Sequence, residues 1–173
     1  EWSQDSEDCY IQYLPTYVQN MEFPVDELKI MMDYAGVNKA VLQCGGVYGN
    51  LNKYYLNIIN NNKLWSSIFY PLLRIQEKNA CSIQQLSILK KYIHIHNFKG
   101  LWFASDISSF TNKYDVLWDT LSELDIPLFL PFFPDDKWTE RSCVIENFIK
   151  KYSNIPCVLP QAFPLSPNVL KSK

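Results

Sequence analysis

Apolar residues recur along the chain in two alternating patterns, one with helical spacing and one as short continuous runs. Four stretches place apolar side chains three or four residues apart, which predicts amphipathic helices. Their predicted inward faces are Val25, Leu28, Met32 and Ala35; Ile83, Leu86, Leu89 and Ile93; Tyr114, Leu117, Leu121 and Leu124; and Ile145, Phe148 and Tyr152. A fifth helix is predicted over 51–59. Gly36 predicts the end of the first helix, and Ser82 the N-cap of the helix that begins with Ile83.

Five short apolar runs lie between these helices and predict β-strands. They cover 40–44, 67–70, 100–103, 128–130 and 157–159, and they begin about 29 residues apart. The runs are continuously apolar rather than alternating, which is typical of strands buried on both faces of a parallel sheet. Helix and strand in regular alternation indicate βαβ units, so the pattern predicts an α/β fold.

Two architectures share this alternation, a doubly wound sheet and a (β/α)8 barrel. A doubly wound sheet that binds a dinucleotide has a G-x-G-x-x-G loop after its first strand, and the glycines at 45, 46 and 49 have the wrong spacing. A barrel with units of this length needs roughly 230 to 250 residues, which is more than the 173 present. We therefore expect an incomplete (β/α)8 TIM-type barrel with about five strands, over 21–173, after a lead-in segment at 1–20.

Charge and composition exclude several classes of protein. A formal net charge of −2 leaves no basic surface for nucleic acid, so we expect no nucleic-acid partner. No signal peptide and no run of about 18 apolar residues is present, so we expect no membrane span. The five cysteines are widely spaced and form no C-x-x-C pair, which favours a reducing, cytoplasmic location. Because the sequence starts with Glu1 rather than Met, we expect it to begin inside a longer chain.

Candidate binding residues follow from the rule that barrel enzymes use the carboxyl ends of their strands. Arg74 lies shortly after the apolar run at 67–70, and a guanidinium at that place can hold a carboxylate by two parallel hydrogen bonds. Trp102 and Phe132 can stack on a planar ring, and Gln161 follows the last strand. We predict these four residues as substrate-binding. The alternatives are a solvated surface arginine and aromatic side chains that only pack.

Other residue pairs that suggest chemistry have structural explanations. His94 and His96 fall at the end of a predicted helix, where side chains two apart point about 200° from one another, so they are not expected to share a metal. Cys44 ends a strand but has no neighbouring base that could activate it as a nucleophile. Asp135 and Asp136 could bind a cation, or they could cap the helix that begins near 138 or 139.

Three segments together resemble the amidohydrolase-related family of metal-dependent barrel enzymes, which includes hydrolases and decarboxylases. The first runs from Val-Asp-Glu-Leu at 25–28 to Ala-Gly-Val-Asn-Lys-Ala-Val-Leu at 35–42. The second is Asn-Phe-Lys-Gly-Leu-Trp at 97–102, and the third is 118–130 with Leu-Asp-Ile-Pro at 124–127. The resemblance covers about residues 20–162. It implies a barrel that acts on a small carboxylated or cyclic substrate.

The same resemblance implies a divalent metal, zinc or similar, if the family's activity is retained. Family members place a histidine at the end of the fifth strand and another at the end of the sixth, where this sequence has Pro131 and Gln161. Proline offers no donor atom, and a glutamine amide is a poor zinc ligand. The family's other metal-binding positions correspond to strands outside this chain.

Three hypotheses about function therefore remain. The first is a metal-dependent hydrolase or decarboxylase, and the second is a degenerate, non-catalytic barrel that serves as a binding or interaction module. The third is an α/β domain of unknown role that is unrelated to the family. Since an incomplete barrel exposes sheet edges, we also expect a second copy, a partner chain or further chain to cover them.

Overall fold

The computed structural model describes residues 24–44, 49–103, 107–131 and 138–160. The chain divides into two compact units, Glu1–Leu72 and Leu73–Lys173. In both units the described helices and strands alternate along the chain and the strands pair in parallel, which confirms the predicted α/β class.

In the part of the first unit that the structure describes, a two-stranded parallel sheet is accompanied by three helices. Its elements are α1 (Val25–Tyr34), β1 (Ala40–Leu42), α2 (Asn52–Asn61), α3 (Lys63–Ile68) and β2 (Phe69–Pro71). β1 and β2 pair with Ala40 opposite Phe69 and Leu42 opposite Pro71. Val25 and Met32 are buried as the pattern of α1 predicts, whereas Ala35 lies beyond the helix and is exposed.

Gly36 ends α1 as predicted. Its φ of +69° is in the left-handed region, which glycine adopts without strain. The turn lets the Val37 N–H donate to the Met32 carbonyl at 2.8 Å and the Gly36 N–H donate to the Asp33 carbonyl at 3.2 Å. These bonds satisfy two of the carbonyl groups that a helix end leaves without an intrahelical partner.

The prediction of a strand over 67–70 is wrong in its first half, because Ser67 and Ile68 belong to α3. The Asn62 side chain accepts a hydrogen bond from the Leu64 N–H at 2.9 Å and so caps this short helix. The Ser67 hydroxyl donates to the Leu64 carbonyl at 2.7 Å. These local bonds outweigh the β preference of Ile68, and the strand starts only at Phe69.

The described residues of the second unit form a four-stranded parallel sheet and three α-helices. Its elements are β3 (Leu73–Arg74), α4 (Ile83–His94), β4 (Leu101–Trp102), α5 (Asp115–Leu124), β5 (Leu128–Phe129), α6 (Trp138–Lys151) and β6 (Cys157–Val158), with short 3₁₀ turns at Glu77–Asn79, Ile107–Phe110 and Asn112–Tyr114. The strand order is β3-β4-β5-β6, so sequence neighbours are also sheet neighbours. This order has no reversal among the described strands, whereas a doubly wound sheet has one.

The pairing register divides the side chains of this sheet into two faces. Leu73, Leu101 and Leu128 lie side by side in one row, and Phe103 and Leu130 continue the same face two residues later. The Phe103 ring contacts the ring of Trp118 on α5 at 5.3 Å, so this is the face that the helices cover. We call it the covered face. The other, the inner face, has the row Arg74, Trp102, Phe129 and Val158.

An aromatic cluster fills the space between the covered face and its helices. Trp118 lies 5.0 Å from Phe148 of α6 and stacks on Phe110 at 5.5 Å. The predicted inward residues Leu117, Leu121, Ile145, Phe148 and Tyr152 are all buried. This packing fixes α5 and α6 against one side of the sheet and leaves the other side for a different role.

The predicted face of α4 is partly wrong. Ser82 is the N-cap, as predicted, and its hydroxyl accepts a hydrogen bond from the Gln85 N–H at 3.2 Å. Leu89 is fully buried, but Ile83 is 89% exposed. The inward position in the first turn belongs to Gln85, four residues before Leu89, since its side-chain oxygen accepts the Gln76 N–H at 3.0 Å. Ile83, two residues earlier, therefore points away from the sheet.

Candidate functional site

Two of the predicted binding residues lie next to one another at the carboxyl ends of adjacent strands. Arg74 ends β3, Trp102 ends β4, and the two are partners in the pairing register. Neighbouring strands are about 4.8 Å apart, and paired residues of parallel strands project to the same side. Arg74 and Trp102 therefore share the inner face, opposite Phe103 and the helices.

Arg74 is buried, with 6% of its surface exposed. Arg74 is therefore not a solvated surface arginine, which was the alternative prediction. A guanidinium remains charged in a protein and loses hydration when it is buried, so it needs acceptors or an anion near it. This environment suits the binding of an acidic group, which remains a prediction for this side chain.

Trp102 is 4% exposed, and its indole N–H has no hydrogen-bond acceptor among the described residues. A buried donor without an acceptor costs about 1–3 kcal/mol. The indole of Trp118 is also without an acceptor in the described part of the chain, but the rings of Phe103, Phe110 and Phe148 surround it. An aromatic face is a weak acceptor for an N–H group. No such ring contact is present for Trp102 within the ranges that the structure describes.

The carboxyl end of β1, in the first unit, is held by a tyrosine of α2. The Tyr55 hydroxyl donates to the Gln43 carbonyl at 2.8 Å, and Tyr55 and Cys44 are both buried. Burial, and next the neighbouring Cys44 thiol, raise the pKa of Tyr55, so the hydroxyl remains protonated and keeps this bond. Cys44 is inaccessible from outside, and its predicted lack of a nucleophilic role agrees with this burial.

The strand ends in the second half of the chain are only partly described. Pro131 follows directly after Leu130, whose N–H donates to the Val158 carbonyl at 2.9 Å and closes the ladder of β5. Pro131 therefore lies at the carboxyl end of β5, whereas its correspondence to a metal-binding position of the family remains a prediction. Phe132, Asp135, Asp136 and Gln161 lie outside the described residues, so the predictions about them are untested.

The two histidines lie at the other end of the sheet, but only His94 is helical, because α4 ends there and His96 follows in the turn. His94 is the last residue of α4 and is exposed, and the ring of His96 meets that of Tyr92 edge-on at 5.1 Å. A histidine in the last turn of a helix can interact favourably with the helix dipole. The pair is separated from Arg74 and Trp102 by the length of β4 and the loop that precedes it.

The side chains at the described strand ends do not fit a divalent metal. They are an amide, a buried thiol, a guanidinium, an indole and a proline ring, from Gln43, Cys44, Arg74, Trp102 and Pro131. Zinc and similar ions need several imidazole, thiolate or carboxylate ligands around one point. The described residues contain no group of three or more histidine, cysteine or acidic side chains that could hold one. A guanidinium would in addition repel the ion.

Two features of the strand ends, one in each unit, had no signal in the sequence. The hydrogen bond from Tyr55 to Gln43 joins residues twelve apart, and the helical pattern of α2 indicates only that Tyr55 faces inward. The unsatisfied N–H of Trp102 depends on the three-dimensional surroundings of one atom.

Within the described ranges, no helix has both the length and the apolar character required to cross a membrane.

Solved structures with the same fold were found, although no protein-family model and no curated protein sequence matches this chain. A candidate amidohydrolase from Staphylococcus aureus superposes with a TM-score of 0.62 at 14% identity, over 78% of this chain and 58% of that one. The 2,6-dihydroxybenzoate decarboxylase from Rhizobium gives 0.64 at 11% identity, over 79% and 55%. A complex of 2,6-dihydroxybenzoate decarboxylase with 2,6-dihydroxybenzoate gives 0.60 at 10% identity, over 84% and 60%.

These similarities confirm the predicted resemblance at the level of fold. The three structures carry the names of an amidohydrolase and of a decarboxylase of a carboxylated ring, the two kinds of protein that the sequence resembles. This chain spans between 55% and 60% of the length of each of them. At identities of 10–14% these similarities establish the fold but not the activity of this chain.

Proposed function

We propose that this chain forms part of a (β/α)8 barrel of the amidohydrolase type. The unreversed order β3-β4-β5-β6 supports it, because successive right-handed crossovers then put every helix on one side of the sheet. The chain also matches about three-fifths of the length of each of two longer proteins, and this supports the same proposal. The open strands would be completed by further chain, with a second copy or a partner chain as the alternatives.

The function that fits this site best is the binding of a small carboxylated or cyclic molecule at the strand ends. One observation carries this proposal: Arg74 and Trp102 are buried side by side on the inner face of neighbouring strands. The guanidinium of Arg74 would hold the carboxylate, and the indole would contact the ring or one of its substituents. Phe132 and Gln161 remain predicted members of the same site.

The reaction proposed for this site is decarboxylation or hydrolysis. In a decarboxylation the bond between the ring carbon and the carboxyl carbon breaks, its electron pair stays on the ring carbon, a proton from solvent replaces the carboxyl group, and carbon dioxide leaves. In a hydrolysis, water adds across the bond that breaks. Arg74 would orient the acid group in either case. No described residue is assigned to the proton transfer, and no step is routed through a metal, because the described donors do not fit one.

The second candidate is a barrel that binds the same class of molecule, or a protein partner, without catalysis. Pro131 favours it, because a proline at the end of β5 supplies neither a metal ligand nor a proton donor. The two candidates share the binding role of Arg74 and differ only in turnover. A measurement of binding therefore tests both, and a measurement of product separates them.

The test uses the natural protein that contains this chain, purified in full. Calorimetric titration with 2,6-dihydroxybenzoate should show binding, whereas resorcinol, the same ring without its carboxylate, should bind at least about tenfold more weakly. Arg74→Gln should abolish the preference for the acid, and Arg74→Lys should retain part of it because a charge remains. Lys91→Gln removes an exposed cation from α4 and serves as the control.

Two results would overturn parts of the proposal. Equal affinity for the acid and for resorcinol, or an unchanged preference in Arg74→Gln, would remove the binding role of Arg74. If binding is present, incubation with the acid followed by chromatography for resorcinol distinguishes the candidates. Resorcinol formation supports a decarboxylase, and opening of a cyclic ester to its hydroxy acid supports a hydrolase. The absence of either product supports the binding module.

A further inference from the structure

We propose that the indole N–H of Trp102 is a hydrogen-bond donor to the bound ligand, beside the guanidinium of Arg74. This inference rests on the proposed function and assigns Trp102 a role different from ring stacking. Its basis is one atom: Nε1 of Trp102 is fully buried and has no acceptor among the described residues. The large majority of buried donors have a hydrogen-bond acceptor. A buried donor without one therefore indicates a position at which a bound molecule supplies the acceptor.

The position of this donor is what connects it to a ligand. Trp102 is the register partner of Arg74, one strand spacing away, on the same face and at the same height of the sheet. Because the tryptophan side chain is long, the Trp102 N–H can reach a ligand oxygen that lies near the Arg74 guanidinium. The Trp102 N–H and the Arg74 guanidinium are therefore two hydrogen-bond donor groups on the same face of the sheet.

This donor pair specifies the chemistry of the ligand. Guanidinium and indole groups only donate hydrogen bonds, and a neutral hydrocarbon ring would leave the Trp102 N–H without a bond. The ligand class is therefore a planar carboxylic acid with an oxygen acceptor that reaches the indole, from the carboxylate itself or from a neighbouring ring hydroxyl. A site built to donate hydrogen bonds discriminates strongly against analogues that lack the acceptor.

Trp118 provides a matched control within the same protein. Its indole N–H is also buried and also lacks an acceptor among the described residues, yet it lies on the covered face among aromatic rings. If an unsatisfied indole were only a local feature of packing, the two tryptophans would respond alike to a ligand. If Trp102 binds the ligand, only Trp102 will respond.

The experiment follows both indole groups in the complete natural protein with isotope-labelled tryptophan. Proton–nitrogen correlation NMR resolves each indole N–H, and Trp102→Phe and Trp118→Phe assign the two signals. On addition of 2,6-dihydroxybenzoate, the Trp102 N–H signal should move downfield as it gains a charged acceptor, and the Trp118 signal should stay in place. Resorcinol should produce a much smaller shift of the Trp102 signal.

Affinity gives a second, independent readout. Trp102→Phe keeps an aromatic ring and removes the donor, so the dissociation constant for 2,6-dihydroxybenzoate should rise about 10- to 100-fold. Trp118→Phe should change it by less than about twofold, because the residue is on the other face. If Trp102→Phe proves too unstable to purify, triple-resonance NMR assigns the Trp102 signal in the wild-type protein, and the ligand-induced shift of that signal decides the matter.

The outcomes separate this inference from the function on which it rests. If the acid binds in an Arg74-dependent manner but the Trp102 signal and the Trp102→Phe affinity are unchanged, the inference is wrong and the proposed function stands. If the wild-type protein does not bind the acid at all, the proposed function fails and the inference fails with it. A shift of the Trp102 signal alone, together with weaker binding by Trp102→Phe, supports both.

Discussion

The two faces of the four-stranded sheet are built for different purposes. The covered face is entirely apolar in its central rows, where Leu73, Leu101, Leu128 and Phe103 are completely buried beneath α5 and its neighbours. The inner face buries a guanidinium and an indole N–H in the corresponding rows. Burial of apolar carbon stabilises the fold, whereas burial of a charge and an unsatisfied donor opposes it. The covered face therefore stabilises the fold, whereas the inner face keeps polar groups that reduce stability.

The largest expected effect is on the covered face. Phe103→Ala removes a fully buried ring that contacts Trp118 and Tyr114, and it should lower the free energy of unfolding by about 3–5 kcal/mol. Urea denaturation followed by circular dichroism measures this change. A loss below about 1 kcal/mol would show that the covered face is not the stabilising one.

The second prediction concerns pH and the last strand. Burial raises the pKa of the Cys157 thiol to about 11, compared with about 8.5 in an unfolded chain. The unfolded state therefore releases this proton first. The contribution of the neutral thiol is complete below about pH 8.5 and is lost as the pH rises towards 11, on the order of 1–3 kcal/mol.

A comparison of wild type with Cys157→Ala isolates that contribution from other titrating groups, such as Tyr55. The free energy of unfolding, measured by urea denaturation between pH 7 and about pH 10.5, should fall more steeply in the wild type than in the variant. Parallel curves for the two proteins would contradict the raised pKa. The thiol should also react slowly with iodoacetamide at pH 8, because little thiolate is present.

A smaller effect is expected from the helix that precedes β4. Ser82→Ala removes the hydroxyl that accepts the Gln85 N–H, and it should cost about 1 kcal/mol of stability. Ser87→Ala, an exposed position within the same helix, is the matched control and should be neutral or slightly stabilising. Equal losses in the two variants would mean that the hydroxyl of Ser82 does not act as a cap.

The smallest effect is expected at the end of the inner face. Val158 is 37% exposed, so Val158→Ala should change the free energy of unfolding by no more than about 0.5 kcal/mol. The contrast with Phe103→Ala then measures the difference between the two faces within one sheet. A loss comparable to that of Phe103→Ala would indicate that other parts of the natural protein pack closely on the inner face.

The sequence was sufficient to predict most of the alternation of helices and strands, because apolar spacing determines which residues can be buried together. It did not predict α3 or the separate strand β3. It predicted the inward residues of α5 and α6, and it identified the carboxyl ends where Arg74 and Trp102 lie. It failed where a polar side chain took an inward or capping position. Gln85 replaced Ile83 on the inner side of α4, and Asn62 started a helix where a strand was expected.

The candidate site was less predictable than the fold. Residues at the strand ends can be picked out by their position after an apolar run, and Arg74 was identified in this way. Which of its neighbours would share its face depends on the register between β3 and β4, and register is set by the packing of the whole sheet. The unsatisfied N–H of Trp102 has no sequence pattern at all, since it depends on the acceptors that surround one atom. The cytoplasmic location and the predicted partners remain predictions.

The central claim is that the inner face at Arg74 and Trp102 binds a carboxylated ring. A crystal structure of the complete natural protein with 2,6-dihydroxybenzoate tests this claim most directly. We expect the carboxylate to lie within hydrogen-bond distance of the Arg74 guanidinium, with an oxygen of the ligand accepting the Trp102 N–H. A ligand bound at the opposite end of the sheet, near His94 and Lys91, with the inner face empty, would contradict it.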